Sequence, residues 1–288
     1  VGSRFWPFSR TNVPKQFLDF FGTGKSLLQM TVERVSTLVD KDRIVLVTNE
    51  SYADMIRQQL PEIKESNILL EPARRNTAPC ICWAAHHIFA QDPEASIMTL
   101  PSDHLILKEM AFIKAMDEGM TFVENNDGLL TLGIKPTSPE TGYGYIQCSA
   151  APLTLATMAA LMTLPGDGPC VAGEPSMHGS EIRPVASFRE KPSLEVAKQY
   201  LAGGNYLWNA GIFVWNVDTI VGSLRRFTPE LAAKMDRMAE SFYTEREKET
   251  VADIFPTCEK ISIDYAVMEK ADYIYTYPSD FGWSDVGT

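Results

Sequence analysis

Two aspartates stand where a carboxylate can hold a metal ion. Asp103 follows the apolar run SIMTL (96–100) within PSDH, and Asp285 lies in the glycine-bounded stretch GWSDVGT (282–288). In open α/β sheets ligands gather beyond the carboxyl ends of strands, although an N-cap or turn aspartate would occupy the same place as Asp103. Together the two could hold Mg²⁺ against phosphate oxygens. The first stretch, VGSRFWPFSRTNVPKQF, supplies the opposite charge, with Arg4, Arg10 and Lys15 spaced by Gly2, Ser3, Pro7, Ser9 and Pro14. The prolines break any helical pattern, so it reads as a loop that presents charge. Glycine beside serine admits close backbone approach, and N–H groups with arginine and lysine suit phosphate oxygens. A frayed terminus has a similar composition, but Phe5, Trp6, Phe8 and Phe17 favour a loop that packs.

Further polar groups sit among apolar runs. EPARRNTAP places Glu71, Arg74, Arg75, Asn76 and Thr77 between a strand and a helix, a position from which a base or ribose can be held. PETGYGYI gives Glu140 and a flexible Gly142-Tyr143-Gly144 backbone, FREKP gives Glu190 and Lys191, and YLWNAGIF sets Asn209 among aromatics. A buried asparagine beside Trp208 must be satisfied, and sugar hydroxyls would do so. Turns, ion pairs and strand caps would use the same residues. FGTGKS is not a P-loop, because Asp19 stands where the first glycine belongs; a glycine turn feeding an N-cap at Ser26 fits better. Adjacent His86 and His87 point apart on a helix and cannot chelate together.

The elements that must position these groups alternate. Helices are expected at 26–39, 51–60 and 77–90, the last capped by Thr77 with Pro79 in its first turn, and strands at IVLVT (44–48), NILLEP and SIMTL. Repeated βα units predict a mostly parallel sheet. After residue 128 the pattern turns strand-rich (GLLTLGI, TGYGYIQ, RPVASFREK, YLWNAGIFVWNV), as expected of a lobe that shapes a substrate pocket, while 149–182 follows no clear pattern. With 288 residues, 45% of them apolar, the chain suits one large domain or two small ones. No run reaches the ~20 apolar residues of a membrane span, and no signal peptide is visible, so a soluble cytoplasmic enzyme is expected. The five cysteines lack zinc-site spacing and read as reduced thiols. A net charge of −11 disfavours a nucleic-acid surface, and polyphosphate binding by so acidic a chain calls for a divalent metal.

VGSRFWPFSRTNVPKQFL, EPARRNTAP, PSDH, PTSPETGYGYI, FREKP, YLWNAGIFVW, SIDYAVMEK and GWSDVGT, in this order, resemble the mannose-1-phosphate guanylyltransferases. The resemblance implies an α/β, Rossmann-like nucleotidyltransferase fold with a mostly parallel central sheet flanked by helices and a sugar-binding lobe. It implies one catalytic domain over 1–288, with a nucleotide-binding half at 1–127 and a sugar-binding half at 128–288. It also implies a strand and glycine pair ahead of Gly2 and a C-terminal assembly region beyond Thr288, and it leaves room for a homodimer. The implied reaction transfers GMP from GTP to α-D-mannose 1-phosphate, giving GDP-mannose and pyrophosphate. Gly2, Ser3, Arg4, Glu71, Arg75, Asn76, Thr77 and Ser102 would bind the nucleotide, and Arg4 and Lys15 would act in catalysis. Gly142, Tyr143, Gly144, Glu190, Lys191 and Asn209 would bind the sugar phosphate, and Asp103 and Asp285 would carry Mg²⁺. A relative using another sugar or base, or a non-catalytic regulator that binds GDP-mannose, are the alternatives.

Overall fold

The computed structural model describes residues 13–149 and 181–286. Gly2, Ser3 and Arg4, and the segment 150–180 of the patternless stretch, lie outside the described residues. A 3-10 turn at Lys15–Phe17 leads into a loop that Asp19 closes, its carboxylate accepting from the N–H groups of Phe21, Thr23 and Gly24. FGTGKS is therefore a turn tied to Asp19. Ser26 then caps α1 (Leu27–Val35) in a reciprocal capping box with Gln29. β1 (Leu46–Asn49), α2 (Ala53–Gln59), β2 (Ile68–Glu71), α3 (Thr77–Phe89) and β3 (Ser96–Thr99) follow the expected alternation. The cap of α3 differs from the expected Thr77. Asn76, in a left-handed conformation (φ 69°), accepts from the Thr77 N–H, and Thr77 is the first helical residue. With ψ −172° this is a strained backbone for any side-chain-bearing residue, more so for a β-branched one such as threonine.

β4 (Leu105–Ile106), α4 (Glu109–Glu124), β5 (Leu129–Ile134), β6 (Tyr145–Cys148) and β7 (Arg183–Arg189) come next. Then follow α5 (Leu194–Gly203), β8 (Tyr206–Asn216), α6 (Val217–Phe227), α7 (Pro229–Ala239) and α8 (Glu247–Ile254). A π-helical turn at Asp264–Met268, β9 (Ile274–Ser279) and β10 (Trp283–Ser284) complete the described chain. The main sheet runs β3-β8-β5-β9-β7-β6, and β6 pairs a second time with the start of β8.

The α/β class stands, but strand directions depart from the expected mostly parallel sheet. Among the described residues β1–β2 and β5–β9 are parallel, whereas β3–β8, β5–β8, β6–β7, β6–β8, β7–β9 and β4–β10 are antiparallel. One strand, β8, accounts for three of these six antiparallel pairings. β3–α4–β5 is a crossover whose two strands run the same way, and β8 inserts between them antiparallel to both.

Both faces of this sheet are covered, so its central strands are nearly continuously apolar. Along β8, Phe213 and Trp215 face α3 and α6, and Val214 faces α4, as the period of two requires. α4 answers with Phe112, Ala115, Met116, Gly119, Phe122 and Val123, spaced three and four apart. β1 and β3 do not pair with each other. A cavity of about 660 Å³ lined by Val32, Val47, Ile81 and Ile97 separates them, with Ser102 on its wall. Cys80, Cys82, Cys148 and Cys258 are free thiols. Among the described residues no helix is long and apolar enough to cross a membrane.

Candidate active site

Asp103 and Asp285 are far apart in sequence and meet because β4 and β10 pair. Ile106 lies opposite Trp283 and Leu105 opposite Ser284, in an antiparallel ribbon whose ends carry the two aspartates. The backbone around Phe281 and Gly282 accepts from the N–H groups of Leu107 and Lys108, which extends the ribbon. Gly282 (φ 65°) makes the turn, and its missing Cβ leaves room for Leu107, whose Cβ would otherwise stand 2.8 Å away.

Between the carboxylates sits the Lys15 ammonium. Its Nζ is 3.0 Å from Asp103 Oδ2, 3.0 Å from Asp285 Oδ1, 2.7 Å from the Asp285 carbonyl and 3.2 Å from the Val286 carbonyl. Four oxygens around one buried cation make a cation seat, and hard oxygen donors are what Mg²⁺ takes. The residues present therefore fit a divalent ion at Asp103 and Asp285, and Lys15 stands where that ion's charge would go.

His104 also faces this cluster, its Nε2 3.6 Å from Asp285 Oδ1. The three side chains can bring one ligand atom each within 4.8 Å of one another. The hydrogen bonding gives His104 a different part. The Trp283 indole, which can only donate, donates to His104 Nδ1 at 3.0 Å, so Nδ1 accepts and Nε2 carries the proton. Burial lowers the pKa of His104 and keeps the ring neutral, despite the pull of the two aspartates. A protonated Nε2 cannot ligate; it stands 3.6 Å from Asp285 Oδ1 and 4.0 Å from Asp103 Oδ1, beyond hydrogen-bond distance. Sequence reasoning left out His104, although it adjoins Asp103 in PSDH.

The second cluster is built on an irregularity in β8. Thr131 pairs with Phe213 and Gly133 with Asn209, so three residues of β8 oppose one of β5, and Gly211 (φ 67°) takes the strained place. The bulge turns the Asn209 side chain inward. Its Oδ1 accepts from the Thr131 hydroxyl (2.9 Å) and the Gly211 N–H (3.1 Å), and its Nδ2 donates to Asp264 Oδ1 (3.0 Å). Sugar hydroxyls are thus not needed to satisfy Asn209, contrary to the sequence-based expectation. The protein uses all but one N–H of that amide among the described residues.

Other residues of PETGYGYI and FREKP gather around it. The Gly144 carbonyl accepts from the Asn209 N–H, and the Tyr143 carbonyl from the Lys191 N–H. A Cβ on Gly144 would lie 2.5 Å from Glu190 Oε2 and 3.3 Å from Asn209 Cβ, so a side chain there would push the Glu190 carboxylate aside. Glu190 is held from two sides, its N–H donating to Glu269 and its carboxylate accepting from Lys191 Nζ at 2.6 Å. Lys191 has a positive φ (47°), a strained conformation for a side-chain-bearing residue. Burial, then the charge of Glu190, raises the pKa of Asp264, and Lys191 opposes both. Sequence reasoning quoted SIDYAVMEK but gave Asp264 no part. The signal was there, an acidic residue inside an otherwise apolar run.

An aromatic chain joins the clusters. Tyr143 packs edge-on against Trp208 (5.2 Å) and Trp283 (5.0 Å), and Trp283 against His104 (5.4 Å). The 71–77 segment is engaged differently. Arg75 donates to the Pro256 carbonyl, Asn76 caps α3, and Thr77 Oγ1 accepts from the Ile263 N–H at 2.9 Å. Each of these three side chains makes one such contact within the protein, and Arg75 Nε is buried without a hydrogen-bond partner. Glu71 shares this condition. Its Oε1 is buried without a hydrogen-bond partner, and burial, opposed by Arg74, raises its pKa to about 7.

A family model described as nucleotidyl transferase matches residues 1–288. The chain is 36% identical over 293 residues to mannose-1-phosphate guanylyltransferase 2 of Escherichia coli O157:H7, covering 100% of this chain and 56% of that protein. It is 37% identical over 290 residues to mannose-1-phosphate guanylyltransferase of Salmonella montevideo, again over 100% of this chain and 56% of the relative. The chain thus spans about half the length of these curated relatives. Among solved structures, one described as mannose-1-phosphate geranyltransferase from Thermus thermophilus superposes with a TM-score of 0.80 at 30% identity, covering 99% of this chain and 73% of that one.

Proposed function

This chain belongs to the nucleotidyl transferase family, and we propose that it transfers GMP from GTP to α-D-mannose 1-phosphate, releasing pyrophosphate and forming GDP-mannose. The observation that carries this reading is the pairing of a cation seat with a polar cradle across one aromatic bridge, in a chain whose relatives carry the guanylyltransferase name.

The chemistry needs positioning and charge neutralisation more than proton transfer. A sugar phosphate's second pKa lies near 6, as in other phosphate monoesters, so at neutral pH its oxygen is already anionic and can attack the α-phosphorus in line. Asp103 and Asp285 would hold Mg²⁺, which when bound neutralises phosphate oxygens. Lys15, released from the carboxylates, would then bind phosphate oxygens of both substrates as they approach. Arg4, with the Gly2 and Ser3 backbone, would hold the triphosphate and stabilise charge on the leaving pyrophosphate. Glu71 and Ser102 would face the nucleoside. Glu190, the free N–H of Asn209 and the Gly142–Gly144 backbone would bind hexose hydroxyls, with Lys191 on the sugar phosphate. Division of labour between 1–127 and 128–288, a homodimer and a cytoplasmic location belong to the same reading.

The test is pyrophosphate release from the four nucleoside triphosphates with mannose 1-phosphate, glucose 1-phosphate and galactose 1-phosphate, with and without Mg²⁺. GTP with mannose 1-phosphate and Mg²⁺ is expected to exceed every other pair by at least tenfold. Preference for another base or another hexose overturns the assignment.

A further inference from the structure

Asp264 lies outside every motif residue assigned above, yet the sugar cradle is assembled around it. It opens the π-helical turn Asp264–Met268, and such one-turn irregularities within helical segments cluster at functional sites. Its Oδ1 takes an N–H from Asn209 at 3.0 Å. Together with the contacts of the amide oxygen, that bond fixes which way the Asn209 amide faces. With Oδ1 of Asn209 committed to the Thr131 hydroxyl and the Gly211 N–H, a flipped amide would set its NH₂ against the Gly211 donor and its oxygen against the Asp264 carboxylate. In the observed orientation one Nδ2–H remains, beside Gly144 and next to the Glu190 carboxylate.

We propose that Asp264 is a positioning residue of the hexose pocket: it locks the Asn209 amide so that one N–H faces a sugar oxygen while Glu190 accepts from a neighbouring hydroxyl. This rests on the reading of the pocket as a hexose 1-phosphate site. A vicinal diol presents a donor and an acceptor side by side, and an amide N–H next to a carboxylate is its complement. The position of Asp264 also explains why Glu190 is held so firmly. Glu269 on its backbone N–H and Lys191 on its carboxylate keep Glu190 in place against a second acid nearby. Ser262, Lys191 and Glu190 are the polar and charged groups around the Asp264 carboxyl, with Tyr265 following it in the turn. Without Asp264 the amide keeps its oxygen contacts but loses the restraint on its NH₂ group, whose ordering would then cost free energy at each binding event.

The experiment compares Asp264→Ala, Asp264→Asn and Asn209→Ala in the full chain, by the KM of each substrate and by kcat. Asp264→Ala is expected to raise KM for the hexose 1-phosphate at least tenfold while KM for the nucleotide stays within twofold. Asp264→Asn keeps an oxygen that can accept from Asn209, so it should recover most of that loss. The double variant Asp264→Ala/Asn209→Ala should be no worse than Asn209→Ala alone, because both substitutions undo one contact. Equal losses for both substrates, full additivity, or an Asp264→Ala KM for the sugar phosphate at the wild-type value would overturn the proposal. Should Asp264→Ala fail to fold, Asp264→Asn and Asp264→Ser decide it, since serine cannot reach Asn209 and should show the raised KM that asparagine lacks. A wild type that prefers a hexose other than mannose sinks only the activity named above, and the comparison is then made on that hexose. A wild type that neither turns over nor, by calorimetry, binds any hexose 1-phosphate sinks both.

Discussion

Replacing Lys15 with methionine tests whether the ammonium stands in a metal's place. The Nζ lies 3.0 Å from a carboxylate oxygen of each aspartate. At an effective dielectric of about 20, each contact is worth about 5 kcal/mol before desolvation. Removing one member of a buried ion pair typically costs about 3–5 kcal/mol. The Lys15 side chain is only 8% exposed, but those of Asp103 and Asp285 are 28% and 30% exposed, and solvent screens part of their repulsion. The expected loss in the absence of divalent ions is therefore about 2–3 kcal/mol. Methionine fills the volume of the lysine stem, so packing changes little. Mg²⁺ should reverse the loss, since it binds the same oxygens and now has no ammonium to displace; at a hundred times its dissociation constant it returns about 2.7 kcal/mol. The assay is urea unfolding without nucleotide, in EDTA and in Mg²⁺, with the slope checked for constancy. Wild type should gain clearly less from Mg²⁺ than Lys15→Met does. If Mg²⁺ stabilises both proteins equally, or the variant in EDTA is as stable as wild type, the ammonium is not holding the carboxylates for a cation.

Three further outcomes are expected. Asp103→Asn and Asp285→Asn should each lose at least 10²-fold in pyrophosphate release, because an amide lacks the anionic oxygen that Mg²⁺ prefers; near-normal turnover at limiting Mg²⁺ would remove that residue from the site. Gly144→Ala puts a methyl 2.5 Å from Glu190 Oε2, so it should fold with a loss of about 1–3 kcal/mol and raise KM for the sugar phosphate at least tenfold, as read by steady-state kinetics with GTP saturating. Glu71→Gln acts through pH: burial raises the carboxyl's pKa to about 7, so its stability is intact below the unfolded value of about 4.3 and is lost as pH rises through about 7. The variant should be more stable than wild type by on the order of 2 kcal/mol at pH 8, after discounting for partial exposure, and equal to it near pH 4. Denaturant midpoints across that range check the slope, and a flat difference would mean that Glu71 is not the titrating group.

Local signals were the most legible. Ser26 was readable as a cap because serine with glutamine three residues on satisfies two N–H groups without help from elsewhere. β1, β2 and β3 fall on the β-branched and apolar runs, whose side chains suit a half-buried pleated surface. The cap of α3 was misplaced by one residue. Asn76 and Thr77 are both good caps by type, and only the left-handed backbone at 76 separates them. Strand direction was not legible. It depends on β8 entering between β3 and β5, a choice made by packing of Phe213, Val214 and Trp215 against opposite faces and invisible in the β8 sequence. The helices between 217 and 254 received no assignment, although Ile220, Val221 and Leu224 have helical spacing. Contacts across long sequence distances were the least legible: nothing in YLWNAGIF announces a bulge, and nothing in SIDYAVMEK announces a partner for Asn209.

Trp283 explains why the two clusters belong to one site. Its backbone pairs with Ile106, so it fixes the ribbon that carries Asp103 and Asp285. Its indole N–H fixes the tautomer of His104, and through it the donor that faces those carboxylates. Its ring packs on Tyr143, whose carbonyl holds the Lys191 N–H and whose neighbour Gly144 holds the Asn209 N–H. A shift of the ribbon would therefore move the aspartate cluster and the Asn209 cluster together. For the in-line displacement proposed above that coupling would matter, because the attacking oxygen and the α-phosphorus must meet within a few tenths of an ångström of the productive distance. Two rigid seats on separately moving parts would each bind well and react poorly. One indole shared between them sets the distance in the fold, before either substrate arrives.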